Sequence, residues 1–121
     1  MTQEEKQILL VDLCARLPYC VVVRCTNSDT DYNCFLTADI LHEIQNGHDH
    51  YDYKPYLRPM SSMTEDEKDF YDSMFIDIEG NLLAMFPVVI IDWLNENHFD
   101  YRGLIPMGLA LEAPKDMYKI E

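Results

Sequence analysis

The residues best suited to chemistry fall in three places. His48, Asp49, His50 and Asp52 follow Gly47, with His42 upstream, and together they supply the imidazole and carboxylate donors that a zinc ion takes. An H-x-H pair in a loop has no fixed geometry until strands or helices impose one. A solvated polar loop is therefore the weightier reading, and His48, His50 and Asp52 are the residues the metal reading rests on. His98, Asp100, Tyr101 and Arg102 form a second group, in which an imidazole near a carboxylate is the raw material of general acid–base catalysis. Plainer work suits the same residues better: His98 interacts with a helix dipole, Asp100 caps the next turn, and Arg102 pairs with one of many acids. No activated nucleophile is evident, because Ser61 and Ser62 precede a helix and suit capping, and G-x-S-x-G, P-loop and G-x-G-x-x-G patterns are all missing.

The third place is acidic. Glu65, Asp66, Glu67, Asp69, Asp72, Asp77 and Glu79 put seven acids into fifteen residues, opposed only by Lys68. On a helix such a face can imitate spaced phosphates and occupy a basic nucleic-acid groove on another protein. Ordinary solvation of a helix explains the same residues. The whole chain shares the bias, with 22 acids against 9 bases and a net charge of -13. That balance argues against direct binding to nucleic acid or to an anionic membrane surface, and it favours high solubility or a basic protein partner.

The 121 residues and 48% hydrophobic content suit one contiguous core, so a single globular domain over 1–121 is expected. No apolar run approaches a membrane span, and the N-terminus carries acids where a secretory signal would carry bases, which predicts a cytoplasmic protein. Cys14, Cys20, Cys25 and Cys34 sit in apolar runs at spacings that match no zinc or redox pattern, and buried, reduced thiols are expected.

Thr2 and Glu5 make a T-x-x-E capping box, and Pro18 closes the segment, predicting a helix over about 3–16. Its stripe is Leu9, Leu10, Leu13, Cys14 and Leu17, and the added edge of Ile8 and Val11 predicts covering on more than one side. Residues 20–26 are rich in β-branched types and read as a strand, with 34–37 as its partner after a turn at Asn27, Ser28 and Asp29. Residues 38–45 suit either a strand or, in preference, a short helix ending at Asn46 and Gly47. Residues 47–63, with two prolines and several tyrosines, read as a packed connecting segment. A second capping box, Thr64 and Glu67, opens a helix over about 65–75 that buries Phe70 and Met74 with Tyr71 or Phe75. After a break at 77–81, Pro87 starts a helix running to about Asn97 with Ile90, Trp93 and Leu94 on one face. Residues 101–113 read as compact turns.

Four stretches, DLCARLPY at 12–19, KPYLRPMSSMTE at 54–65, DWLNENHFDYRGLI at 92–105 and GLALEAP at 108–114, resemble a group of small hypothetical proteins of gut bacteria and their phages and mobile elements. That group has no assigned catalytic residues to carry over. The resemblance implies an intracellular, phage-associated setting in which small proteins act by binding host proteins.

The expected fold is α+β, with an N-terminal helix, a small antiparallel sheet and two further helices packed on it. The expected function is non-enzymatic protein binding, as a phage-type inhibitor or polyanion mimic that needs no cofactor. Its candidate contacts are Glu65, Asp66, Asp69 and Asp72 together with Tyr56, Arg58, Tyr101 and Arg102. The alternative is a small metal-binding protein or enzyme using His48, His50 and Asp52, or His98 and Asp100.

Overall fold

The computed structural model describes residues 1–47, 51–75 and 87–118. His48, Asp49, His50, Asp77, Glu79 and the break at 77–81 lie outside them.

Helix α1 (Gln3–Arg16) starts at the capping box: the Thr2 hydroxyl accepts the Glu5 amide at 3.0 Å, and the Glu5 carboxylate accepts the Thr2 amide at 2.9 Å. A 3-10 turn at Leu17–Tyr19 holds Pro18 and ends the helix. The two-sided covering expected of α1 is absent, since Ile8 and Val11 are 37% and 45% exposed. Leu9 and Leu13 are buried as expected, but Cys14 and Leu17 are exposed, and Asp12 and Arg16 take the inner positions. A stripe drawn from apolar residues misses this face because two opposite charges four residues apart can be buried together once each compensates the other.

β1 (Val22–Thr26) pairs antiparallel with β2 (Asp31–Phe35) and with β3 (Asp52–Leu57). β3 pairs in parallel with the short β4 (Leu111–Glu112), so the order is β2-β1-β3-β4. The protein is thus α+β, and its sheet is mostly antiparallel with one parallel edge. At the β1–β2 turn the Asn27 side-chain oxygen accepts the amides of Asp29 and Thr30, the local bonding that makes Asn a turn former.

The connecting segment expected at 47–63 instead contains an interior strand. Tyr53, Pro55 and Leu57 alternate inward with strand period, a pattern that the prolines obscure. Pro55 is tolerated there because β4 pairs only with Tyr56 and Leu57, so no ladder on that side asks Pro55 for an N–H.

α2 (Ala38–Asn46) is capped by Thr37 and closed by Gly47 in the left-handed region at φ 66°, as the Asn-Gly ending predicts. α1 packs against α2, and both cover the sheet face that carries Val23, Cys25, Tyr53 and Leu57. α3 (Glu65–Ser73) and α4 (Pro87–Glu96) build a second cluster around Ile90, Leu94 and Phe99. In α3 the expected burial of Phe70 is overturned: the ring is 51% exposed, and Glu67 faces inward instead. The expectation of four buried thiols also fails in part, since Cys14 and Cys20 are exposed while Cys25 is buried and Cys34 half-buried, all four unbridged. Short apolar runs do not reveal which side of a helix or turn a thiol occupies. Among the described residues, no helix is long and apolar enough to cross a membrane.

Candidate functional site

The acidic face of α3 is set by the one carboxylate that points away from it. Glu67 completes the second capping box, with its Oε1 accepting the Thr64 amide at 2.9 Å and its own amide donating to the Thr64 hydroxyl at 3.1 Å. The Arg58 guanidinium grips the same carboxylate in a fork, Nη2 to Oε1 at 2.6 Å and Nη1 to Oε2 at 2.8 Å. Arg58 holds the Glu67 carboxyl below the usual range, against the opposing effect of burial. Its guanidinium lies 4.2 Å from the centroid of the buried Phe99 ring, so the pair is backed by an aromatic face.

With Glu67 fixed inward, helical geometry turns Glu65, Asp66, Asp69 and Asp72 outward, and all four are exposed. Phe70 stands one turn after Asp66 and beside Asp69, half-exposed, with its ring centroid 5.5 Å from that of Trp93. The outer face therefore carries Glu65, Asp69 and Asp72, and Phe70 lies at its flank with Asp66 one turn before it.

The other candidate contacts are engaged within the chain. Arg58 serves α3 as described. Tyr101 donates its hydroxyl to Asn95 Oδ1 at 2.8 Å, and Arg102 reaches Asp12 Oδ1 at 3.3 Å. Tyr101 and Arg102 thus gather around the buried Asp12–Arg16 pair rather than with the acids of α3, and the Arg16 guanidinium lies 5.2 Å from the Tyr101 ring centroid. Tyr56 is half-buried on β3, where its carbonyl accepts the Tyr118 hydroxyl at 2.7 Å. That hydroxyl in turn accepts the Val22 amide at 2.8 Å, so Tyr118 fastens β1 and β3 together, a role that no sequence signal marks. Burial pushes the Tyr118 phenol up to about 12.

His98 departs from the charged, dipole-stabilising role expected of it. It lies just past α4 in the left-handed region at φ 65°, stacked on Tyr118 with centroids 3.7 Å apart and planes at 17°. Burial, reinforced by the positive charges of Arg16 and Arg58, pushes the imidazole down to about 4, so it is neutral near pH 7. Asp100 caps as expected: Oδ1 accepts the Leu104 amide at 2.8 Å and Oδ2 the Ile105 amide at 3.0 Å. Both carboxylate oxygens are engaged by backbone, and neither bonds His98.

Of the metal candidates, His48 and His50 lie outside the described residues, and Asp52 is exposed at the start of β3. His42 shares hydrogen bonds with the Asn46 side chain one turn later on α2. Among the described residues, no three or more His, Cys, Asp or Glu side chains are grouped to hold a metal ion.

No protein-family model, curated protein or solved structure matches the chain.

Proposed function

We propose that the protein is a non-enzymatic binding module that offers the outer face of α3 to a basic surface of another protein, as a polyanion mimic. The observation that carries this reading is the sorting of charge on one short helix: Glu67 is held inside by Arg58, while Glu65, Asp66, Asp69 and Asp72 are exposed, with the half-exposed Phe70 at the flank of that face. Carboxylates alone are usually only a solvated face. A half-exposed aromatic beside them adds the kind of anchor that concentrates binding energy at protein interfaces, and the net charge of -13 draws a basic partner over distance. A surface built to grip phosphates by charge is the complementary partner, so nucleic acid and this chain compete for it. In the phage-associated setting that the sequence resemblance implies, such competition inhibits a host factor.

The test captures a partner from host lysate, purifies it, and titrates it with three forms of the chain: unaltered, E65Q/D66N/D69N/D72N, and F70A. The expected result is binding that falls steeply with salt, weakens at least about tenfold in both variants at matched circular dichroism, and is displaced by duplex DNA. Equal binding by the neutralised variant, or no partner at all, overturns the reading.

A further inference from the structure

Cys25 and Cys34 lie on neighbouring antiparallel strands, in a register that pairs Cys25 with Tyr32 and Val23 with Cys34. Residues opposite one another across a ladder share a face, so Cys34 is on the inward face with Val23 and Cys25, diagonal to Cys25. The two sulfurs are 3.2 Å apart. A disulfide needs about 2.05 Å between sulfurs, and residues in diagonal positions start with their Cα atoms about 7–8 Å apart, so closure takes a shift of β2 as well as the approach of the two thiols. β2 is an edge strand with β1 as its one neighbour in the sheet, so it can shift as a unit, carrying Cys34 and the Tyr32 ring, whose centroid lies 5.7 Å from that of Tyr51, along with it. The two thiols also differ in access. Cys25 is fully buried, whereas Cys34 is half-buried at the sheet edge.

We propose that Cys25 and Cys34 form a reversible redox site, in which a hydroperoxide converts the pair to an intramolecular disulfide that ties β2 to β1. Cys34, the accessible thiol, reacts first: its thiolate sulfur attacks the outer peroxide oxygen, the O–O bond breaks, and the alcohol or water leaves, giving a sulfenic acid. The Cys25 sulfur then attacks the Cys34 sulfur, the S–S bond forms, the S–O bond breaks, and the departing hydroxide takes the Cys25 proton as water. Two thiols lose two electrons and two hydrogens, the hydroperoxide gains both, and a dithiol reductant reverses the change. Burial, with the bond to Cys34 adding to it, pushes the Cys25 thiol up to about 12, which keeps it inert until its neighbour is oxidised and makes closure faster as pH rises. Cys14 and Cys20 are exposed and unbridged.

The experiment treats the full chain with hydrogen peroxide, alkylates remaining thiols, and maps linkages by non-reducing peptide mass spectrometry. It is run on the unaltered chain and on C14S/C20S, whose changes lie at exposed positions. The expected result in both is a Cys25–Cys34 linkage in monomeric protein, with the loss of two hydrogens, a thermal midpoint raised by several degrees, and full reversal by dithiothreitol. C34S, altered at the half-buried edge position, should show neither linkage nor shift. Absence of reaction, oxidation of Cys34 to the sulfinic acid with Cys25 untouched, or linkage only through Cys14 or Cys20 overturns the proposal.

Discussion

Arg16 and Asp12 stand one helical turn apart on α1, both fully buried, joined by Nε to Oδ2 at 2.7 Å and Nη2 to Oδ1 at 3.1 Å. Arg16 Nη2 also donates to the Phe99 carbonyl at 2.7 Å, so the pair ties α1 to the Phe99 cluster. Its Nη1 is buried with no hydrogen-bond partner among the described residues. A buried ion pair of this kind fixes geometry more than it adds stability, because desolvation of both charges offsets most of their attraction.

Breaking that pair from one side leaves an uncompensated interior charge. Asp12→Leu is expected to lose about 3–5 kcal/mol in urea denaturation, whereas the double change D12L/R16M should recover most of that loss. Additive losses would show that the two side chains are not energetically coupled. The Phe99 carbonyl, left without Arg16, and Arg102, left without Asp12, account for any remaining deficit in the double variant.

Glu67→Gln removes charge from the Arg58 fork while keeping the size of the side chain. A loss of about 1–3 kcal/mol is expected, with backbone chemical shifts changing along α3. Arg58→Lys should fall in the same range, since an ammonium cannot reproduce the two-point contact seen at 2.6 and 2.8 Å. The pH dependence has a definite sign. Because the folded Glu67 carboxyl lies below its ordinary value of 4.5, its contribution is present above that value and is lost as pH falls through the folded value.

His98 adds a second acid-sensitive contribution in a different window. Its folded value near 4 lies below the ordinary 6.5, so between these pH values the unfolded chain binds the proton first, and stability declines as pH falls from 6.5 towards 4. His98→Asn keeps a residue type that tolerates the left-handed backbone at φ 65° and removes the titration. Equilibrium stability measured at pH 7 and at pH 4.5 should fall less in H98N than in the unaltered chain, by about 1 kcal/mol after allowance for solvent screening. Equal slopes would place the acid sensitivity elsewhere.

Tyr118→Phe deletes the hydroxyl that accepts from Val22 and donates to Tyr56 while preserving the ring against His98. Two backbone groups lose a partner, and a cost of about 1–3 kcal/mol is expected. Hydrogen exchange at the Val22 amide should accelerate more than exchange at the mid-strand amides of β1, which keep their ladder partners on both sides.

Capping chemistry is where the residues spoke most clearly. Thr2 with Glu5, Thr64 with Glu67, and Asn46 with Gly47 mark the ends of α1, α3 and α2 correctly because each motif satisfies backbone groups within one turn of itself. Asp100 capping Leu104 and Ile105 is equally local. The acidic run on α3 was legible for the same reason. For Glu67 the sequence marks the capping box and a place in the acidic run but not the inward position, since nothing near it in the chain announces Arg58 nine residues upstream as its partner.

β3 shows the opposite case. Its inward alternation exists only against β1, and Pro55 becomes acceptable only because β4 stops short of it. The exposure of Phe70, Val11 and Cys14 likewise follows from which face of each helix another element covers.

The amino-acid sequence by itself determined the α+β class, the charge of -13, the helix starts and the turn and capping residues, because these depend on composition or on bonds closed within a few positions. Tertiary structure alone decided that Arg16 reaches a carbonyl 83 positions away, that His98 stacks half-buried against Tyr118, and that Cys25 meets Cys34 across a strand pair. Each of those outcomes turns on desolvation or on strand register, and both are properties of which distant segments meet rather than of the residues that lie between them.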